Sequence, residues 1–338
     1  MSFWEKLQNP FFVLAPMADV TDAPFRRMIA KYSAHERVDG TIGGPDVMWT
    51  EFVAADGLVR ATEEGKKKLM ADLIYAEEER PIVAQLFTSN EEHMEYAAKL
   101  CRELGFDGID INMGCPDRSI EKQGCGSAMI KHPENARAII RAAKRGAGDV
   151  PVSVKTRVGY NKDEIDTWIP QVLAENPAAL TIHARTRKDM SKVPARWEYV
   201  ARVVALRDEL APGVRIIGNG DALSLTDARH KAEQSGADGV MLGRAIFGNP
   251  WLFHPEKDLS NVSLEERLVV MLEHTALFAE LLPHKNFAVM KKHYKAYVNG
   301  FHGAAELRGL LMKKNSVEEI AEVVHAFLAK LHTNQLVH

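Results

Sequence analysis

The sequence predicts an α/β fold: a (β/α)8 TIM barrel followed by an all-α domain. Three observations carry this. Strand-like runs alternate with helical segments from the first residues to about residue 253, the pattern of a parallel sheet whose crossovers are helices. Glycines and polar side chains gather at the carboxyl ends of those runs, the edge at which barrels do chemistry. From about His254 strand-like runs cease. The domains are therefore placed at residues 1–253 and 254–338. An open doubly wound sheet is the rival architecture, but such sheets seldom use this many units.

In chain order the strands fall near Phe12–Met17, Val47–Val53, Ile82–Phe87, Gly108–Asn112, Val152–Thr156, Leu180–His183, Arg215–Gly218 and Gly239–Leu242. Helices with end signals lie between them. One opens near Asn90 and stops at Gly105. One opens near Pro133 and ends by Gly146. One follows the Ser224–Asp227 capping pair and ends at Gly236. In the C-terminal part, Ser263 with Glu266 and Ser316 with Glu319 are further capping pairs. Leu268, Met271, Leu272, Phe278 and Leu282 draw an apolar stripe, so Pro255–Val337 is read as helical.

Composition excludes several classes. A net charge of −3 over 338 residues gives no overall basic field, so any RNA contact must be local. The three cysteines, Cys101, Cys115 and Cys125, have neither metal-ligand spacing nor a disulfide framework. No metal is expected, and a reducing cytoplasm fits best. The N-terminal run Phe11–Ala18 is short and broken by Pro16, unlike a signal peptide. No apolar run has membrane-spanning length, so no membrane partner is expected. The chain is taken as a monomer.

The most informative stretch is Ile109–Lys131. Ile109, Ile111 and Met113 alternate with Asp110 and Asn112, one face apolar and one polar. Cys115 follows at the strand's carboxyl end between Gly114 and Pro116, a candidate acid or nucleophile. The same alternation aims Lys155 and His183 inward. An inward lysine is costly without an anionic partner; an ion pair with Asp110 is the structural alternative. Asn112 and Arg157 also face the mouth. At the last two strands, Gly218, Asn219, Gly220 and Gly243, Arg244 offer glycines and a guanidinium where barrels often bind phosphate. Ordinary turns are the alternative there.

These segments, with Ala15–Arg27, Ser153–Gly159, Thr181–Arg187, Ile217–Asp221 and Met241–Trp251, resemble the tRNA-dihydrouridine synthase family over nearly the whole chain and in family order. The resemblance implies flavin-dependent reduction of uridines in tRNA, with FMN as cofactor and NAD(P)H as reductant. It implies that FMN is held by Pro16, Met17, Ala18, Gln85, Lys155, His183, Asn219, Gly220, Asp221, Gly243 and Arg244, with Asn112 at the flavin or the uracil edge. It gives Cys115 the role of proton donor to C5, opposite hydride delivery to C6. Cys101 is read as core packing and Cys125 as a bland substitution, with a resolving thiol as the alternative.

RNA contacts are expected from Arg157, and from Arg118 and Lys122 just past the cysteine, where a solvated loop is the alternative. They are also expected from the window Lys285–Lys314, where Lys291, Lys292 and Lys295 are interleaved with His293, Tyr294 and Tyr297. A solvated helix face over buried aromatics is the alternative. The loop Lys188–Trp197 departs from the family pattern, which leaves the substrate least secure. An FMN-barrel reductase of a free pyrimidine or other small molecule, and a non-catalytic RNA-binding barrel, stay open.

Overall fold

The computed structural model describes residues 2–257 and 259–335. It divides into two compact units. One comprises the chain up to Asp22 with Pro45–Arg244; the other comprises Ala23–Gly44 with the chain from Ala245 onward. The second unit thus takes in the early helix Ala23–Tyr32 as well as the C-terminal helices. Val337, the expected end of the helical part, lies outside the described residues.

The first unit holds eight parallel strands in one sheet: β1 (Phe11–Leu14), β2 (Met48–Ala54), β3 (Ile82–Phe87), β4 (Gly108–Met113), β5 (Val152–Arg157), β6 (Ala179–His183), β7 (Arg215–Asn219) and β8 (Gly239–Leu242). β1 pairs with β8, and each later strand pairs with its predecessor back to β2. A parallel bridge between Val13 and Val47 closes the ring, with the Leu14 N–H donating to the Val47 carbonyl at 3.1 Å. The predicted TIM barrel is therefore present. β1 ends at Leu14 rather than Met17; from Ala15 the chain turns, and Thr21 Oγ1 accepts the Met17 N–H at 2.9 Å.

The helix ends follow the local rules. Asn90 Oδ1 accepts from His93 N at 3.0 Å, and Ser224 Oγ from Asp227 N at 3.1 Å, each satisfying an orphan donor of the first turn. Pro133 occupies the first turn of its helix, where no N–H is needed. Gly236 closes its helix at φ +71°, a left-handed turn that glycine adopts without a Cβ penalty.

Inside the barrel the polarity is graded. Trp4, Phe11, Val13, Trp49, Val83, Ile217 and Met241 form one apolar cluster, with the Trp4 ring 6.0 Å from both Phe11 and Trp49. Further along the same inward faces come Gln85, Asp110, Asn112, Lys155, His183 and Asn219. Register sets Asn112 beside Lys155, and His183 beside both Arg157 and Asn219.

The second unit packs Ala23–Tyr32 on Leu264–Leu281, with Met290–Tyr297, Ala304–Leu311 and Val317–Gln335 beyond. Ser263 Oγ accepts from Glu266 N at 3.1 Å and Ser316 Oγ from Glu319 N at 3.2 Å, so both expected capping serines cap. Phe25, Met28, Ile29, Leu268, Met271 and Phe278 are buried there. No described helix is long and apolar enough to cross a membrane.

Candidate active site at the barrel mouth

Cys115 is set by β4 and its neighbours. Asp110 is fully buried; Gln85 Nε2 and Ser153 Oγ each donate to it at 2.6 Å. Burial raises its pKa to about 6, against the two hydrogen bonds and the pull of Lys155. Its ionised oxygens fix the Gln85 amide, whose Oε1 accepts from Asn112 Nδ2 at 3.1 Å. Asn112 Oδ1 then accepts the N–H groups of Gly114 at 3.1 Å and Cys115 at 2.9 Å. A chain of polar contacts runs from the barrel interior to the backbone of the cysteine. On the far side Ser127 donates to the Cys115 carbonyl from both N and Oγ. Gly126, at φ +59°, makes this possible, because a Cβ there would lie 2.6 Å from that carbonyl oxygen.

Of the three thiols only Cys115 is partly exposed. Burial raises its pKa, while the charges of Arg157 and Lys155 oppose that rise. The thiol is protonated at neutral pH. Burial drives Cys101 to about 12 and Cys125 to about 11, and both are packed away from solvent.

Lys155 Nζ donates to Asn219 Oδ1 at 3.1 Å, and Asn219 Nδ2 donates to the Met241 carbonyl at 2.8 Å. Lys155 has no salt bridge with Asp110; the two interact only through space. Burial and the nearby Arg157 charge lower its pKa to about 8, so the amine is still mostly charged at pH 7. Two of its three N–H groups carry no bond within the described residues.

Arg157, expected to face RNA, is turned inward and buried. It donates to the carbonyls of Gly114 (2.7 Å), Thr186 (3.1 Å) and Met190 (3.0 Å), tying the cysteine loop to the loop after β6. Arg187 makes a second tie to Glu121, and its guanidinium lies 5.3 Å from the Tyr160 ring centroid. The unusual Lys188–Trp197 loop is thereby anchored, and Asp221 Oδ2 accepts the Ala195 N–H at 2.8 Å.

At β7 and β8, Asp221 joins two arginines: Arg185 Nη2 reaches Oδ2 and Arg244 Nη2 reaches Oδ1, each at 2.5 Å. Those contacts hold its pKa down against burial. Gly218 and Gly220 have packing reasons. A Cβ on Gly218 would strike Trp197 at 2.2 Å, and one on Gly220 would strike Ala195 Cβ at 2.7 Å. Gly243 is open by comparison, with Met17 Sδ 3.5 Å from where a Cβ would sit. Pro16, Met17 and Ala18 follow the end of β1, and Ala18 is exposed.

The dihydrouridine synthase (Dus) family model matches residues 13–332. The chain belongs to the dihydrouridine synthase family. A "Probable tRNA-dihydrouridine synthase" of Staphylococcus epidermidis is 38% identical over 333 residues, 98% of this chain and 97% of that one. "Probable tRNA-dihydrouridine synthase 2" of Bacillus subtilis is 39% identical over 332 residues, 97% of each. A solved complex of 2-naphthoyl-CoA reductase shares the fold at TM-score 0.51 and 11% identity, covering 72% of this chain and 49% of that one.

In this member of the family the residues expected to meet RNA divide by environment. Arg118 and Lys122 are exposed on and just after the short helix Arg118–Glu121. In the second unit Lys295 is exposed, Lys291 donates to Asn315 at 3.1 Å, and Lys292 is half-buried. The interleaved rings do not form a stacking platform: His293, Tyr294 and Tyr297 are buried. Sequence reasoning missed Arg185, Glu121 and Ser153. Alternation marked the inward face on which Ser153 lies; nothing local paired Glu121 with Arg187, 66 residues away.

Proposed function

We propose that this chain reduces uridines in tRNA to 5,6-dihydrouridine, with FMN at the barrel mouth and NAD(P)H as reductant. The observation that carries the proposal is Cys115. It is a protonated, partly exposed thiol at the carboxyl end of β4, beside Lys155 and Arg157. Family membership over nearly the whole chain supplies the reaction class.

The donor set suits a phosphate-bearing, anionic cofactor. Arg244 is exposed, Lys155 has unused donors, and the backbone N–H groups of Gly243 and Arg244 find no acceptor among the described residues. Gly243 and Arg244 would take the phosphate; Lys155, Gln85, Asn112, Asn219 and His183 would hold the ring, with Pro16–Ala18 along its edge. FMN bound there would supply, at the expense of NAD(P)H, the hydride that goes to uracil C6.

The protein's own part is the proton. The Cys115 S–H bond breaks as the C5–H bond forms, and Lys155 and Arg157 stabilise the resulting thiolate. Solvent then reprotonates it, so the net reaction consumes one NAD(P)H and one proton per uridine. Asn112 and Ser127 hold the loop so that Sγ is presented from a fixed backbone.

A direct test compares tRNA with free uridine as substrate for the purified protein, and identifies the flavin released on denaturation. FMN together with a strong preference for tRNA is expected. Released FAD, or no flavin after reconstitution, would overturn the cofactor assignment. Equal turnover of free uridine would make the chain a small-molecule reductase.

A further inference from the structure

The loop after β6 carries a second arginine that faces no open surface. Arg185 is buried, and its guanidinium is anchored on two sides: Nε donates to the Val193 carbonyl at 2.6 Å and Nη2 to Asp221 Oδ2 at 2.5 Å. The remaining nitrogen, Nη1, sits 3.1 Å from His183 Nε2. A guanidinium can only donate, and it does not deprotonate in proteins. The imidazole nitrogen it faces must therefore be the bare one.

We propose that Arg185 is a positioning residue that fixes His183 as the Nδ1–H tautomer, making that N–H a hydrogen-bond donor toward a carbonyl oxygen or imine-type nitrogen of the heterocycle bound at the mouth. This rests on the function proposed above. Three further observations support it. His183 Nδ1 has no partner among the described residues, so its proton is unclaimed by the protein. The ring lies close over Gly220, where a Cβ would come within 3.4 Å of His183 Cδ2. Burial and the charges of Arg157, Lys155, Arg185 and Arg244 keep the imidazole neutral, so it adds a donor without adding another cation. In the opposite tautomer a lone pair would meet the lone pair of the ligand's acceptor, and the Arg185 N–H would point at another N–H. Two hydrogen bonds would be lost together.

The test is histidine-nitrogen NMR on protein carrying 15N-labelled histidine, stripped of flavin, with the His183 signals identified by their loss in His183→Gln. Wild type should show a protonated Nδ1 and a bare Nε2, unchanged from mildly alkaline to mildly acidic buffer. Arg185→Met should shift the ring to a mainly Nε2–H or mixed population, and weaken FMN binding roughly tenfold, the scale of one lost hydrogen bond. Arg185→Lys, which keeps a donor and a cation, should restore the Nδ1–H signal. A wild-type Nε2–H tautomer would overturn the proposal, as would an Arg185→Met protein that keeps Nδ1–H. The wild-type spectrum decides the tautomer even where the methionine variant does not fold. The cofactor reading fails separately: wild type that binds no FMN would refute that reading and leave the flavin-free tautomer measurement standing.

Discussion

At the barrel mouth Arg157, Arg185 and Lys155 each have hydrogen-bond partners, whereas the buried His274 and His293 of the helical unit have none among the described residues. Arg157 spends its donors on the carbonyls of Gly114, Thr186 and Met190, and Arg185 on Val193, Asp221 and His183. Lys155 keeps one bond and loses only part of its basicity, to about 8. In the other unit the rings of His274 and His293 meet edge-on at 4.7 Å beside Phe25 and Tyr297, and none of their four nitrogens has a hydrogen-bond partner among the described residues. Burial alone takes His274 down to about 3. Lys155 starts from a high intrinsic pKa and keeps most of its charge at pH 7, whereas the unpartnered His274 is left a neutral aromatic filler. The first arrangement is chemistry; the second is packing that becomes a liability in acid.

The largest effect should come from the mouth. Cys115→Ala should leave NAD(P)H-driven bleaching of bound flavin largely intact, because the hydride route does not use the thiol. Reoxidation by tRNA should slow by roughly two to four orders of magnitude, the usual contribution of a positioned general acid. Stopped-flow measurement of the two half-reactions separates them. Cys101→Ala and Cys125→Ala should be mild, since both thiols are buried and held protonated. Unchanged tRNA turnover in the Cys115 variant would remove the thiol from the mechanism.

The contrast also explains what was legible in the sequence. Period-two alternation placed Asn112, Lys155 and His183 on the inward face, because a strand leaves a side chain only two directions. Cap chemistry placed helix starts at Asn90, Ser224, Ser263 and Ser316, because those bonds span three residues. What stayed hidden depends on long-range pairing. Arg157 looked like an RNA contact because its face was legible but its three carbonyl acceptors were not. The glycines at the end of β7 suggested a phosphate approach, yet Gly218 and Gly220 are also required by Trp197 and Ala195, brought in by the folded loop. The aromatics of the basic window turned inward for a similar reason: the partner helices that bury them cannot be read from the window itself.

The second prediction addresses the helical unit. An unfolded His274 protonates below about pH 6.5, whereas the folded one resists until about 3. Its folded pKa is depressed, so the stability it permits is present above 6.5 and lost as pH falls toward 3. At pH 5 the loss is ~2 kcal/mol. His274→Phe should recover about that much at pH 5 and far less at pH 8, read from urea midpoints at the two pH values. An acid sensitivity identical to wild type would show that the unpartnered ring is not what weakens the unit.

A third prediction returns to Lys155. In flavin-free protein its amine loses its proton near pH 8. FMN affinity should be flat below that value and fall above it by up to about tenfold per pH unit, where binding must restore the charge. Lys155→Met should abolish the pH dependence and bind weakly throughout. A wild-type affinity that stays level from pH 7 to pH 10 would show that this amine does not meet the cofactor.

The smallest effect separates the basic residues of the helical unit from one another. Lys291 is held by Asn315 and Lys292 is half-buried, whereas Lys295 is exposed at the end of its helix. A phosphate contact needs a side chain free to reach and a charge not already engaged. Lys295 meets both conditions better than its neighbours do. Reversal of all three should weaken tRNA binding and flatten its salt dependence, since each neutralised phosphate releases counterions. Most of that change should already appear in Lys295→Glu alone, as a drop of roughly 0.7–0.9 in the slope of log affinity against log salt. FMN content and NAD(P)H oxidation should be unchanged, which shows that the protein is folded. If the triple reversal leaves both affinity and slope as in wild type, this face is only solvated. The exposed pair Arg118 and Lys122 would then be the next residues to reverse, because they flank the cysteine loop and neither is buried.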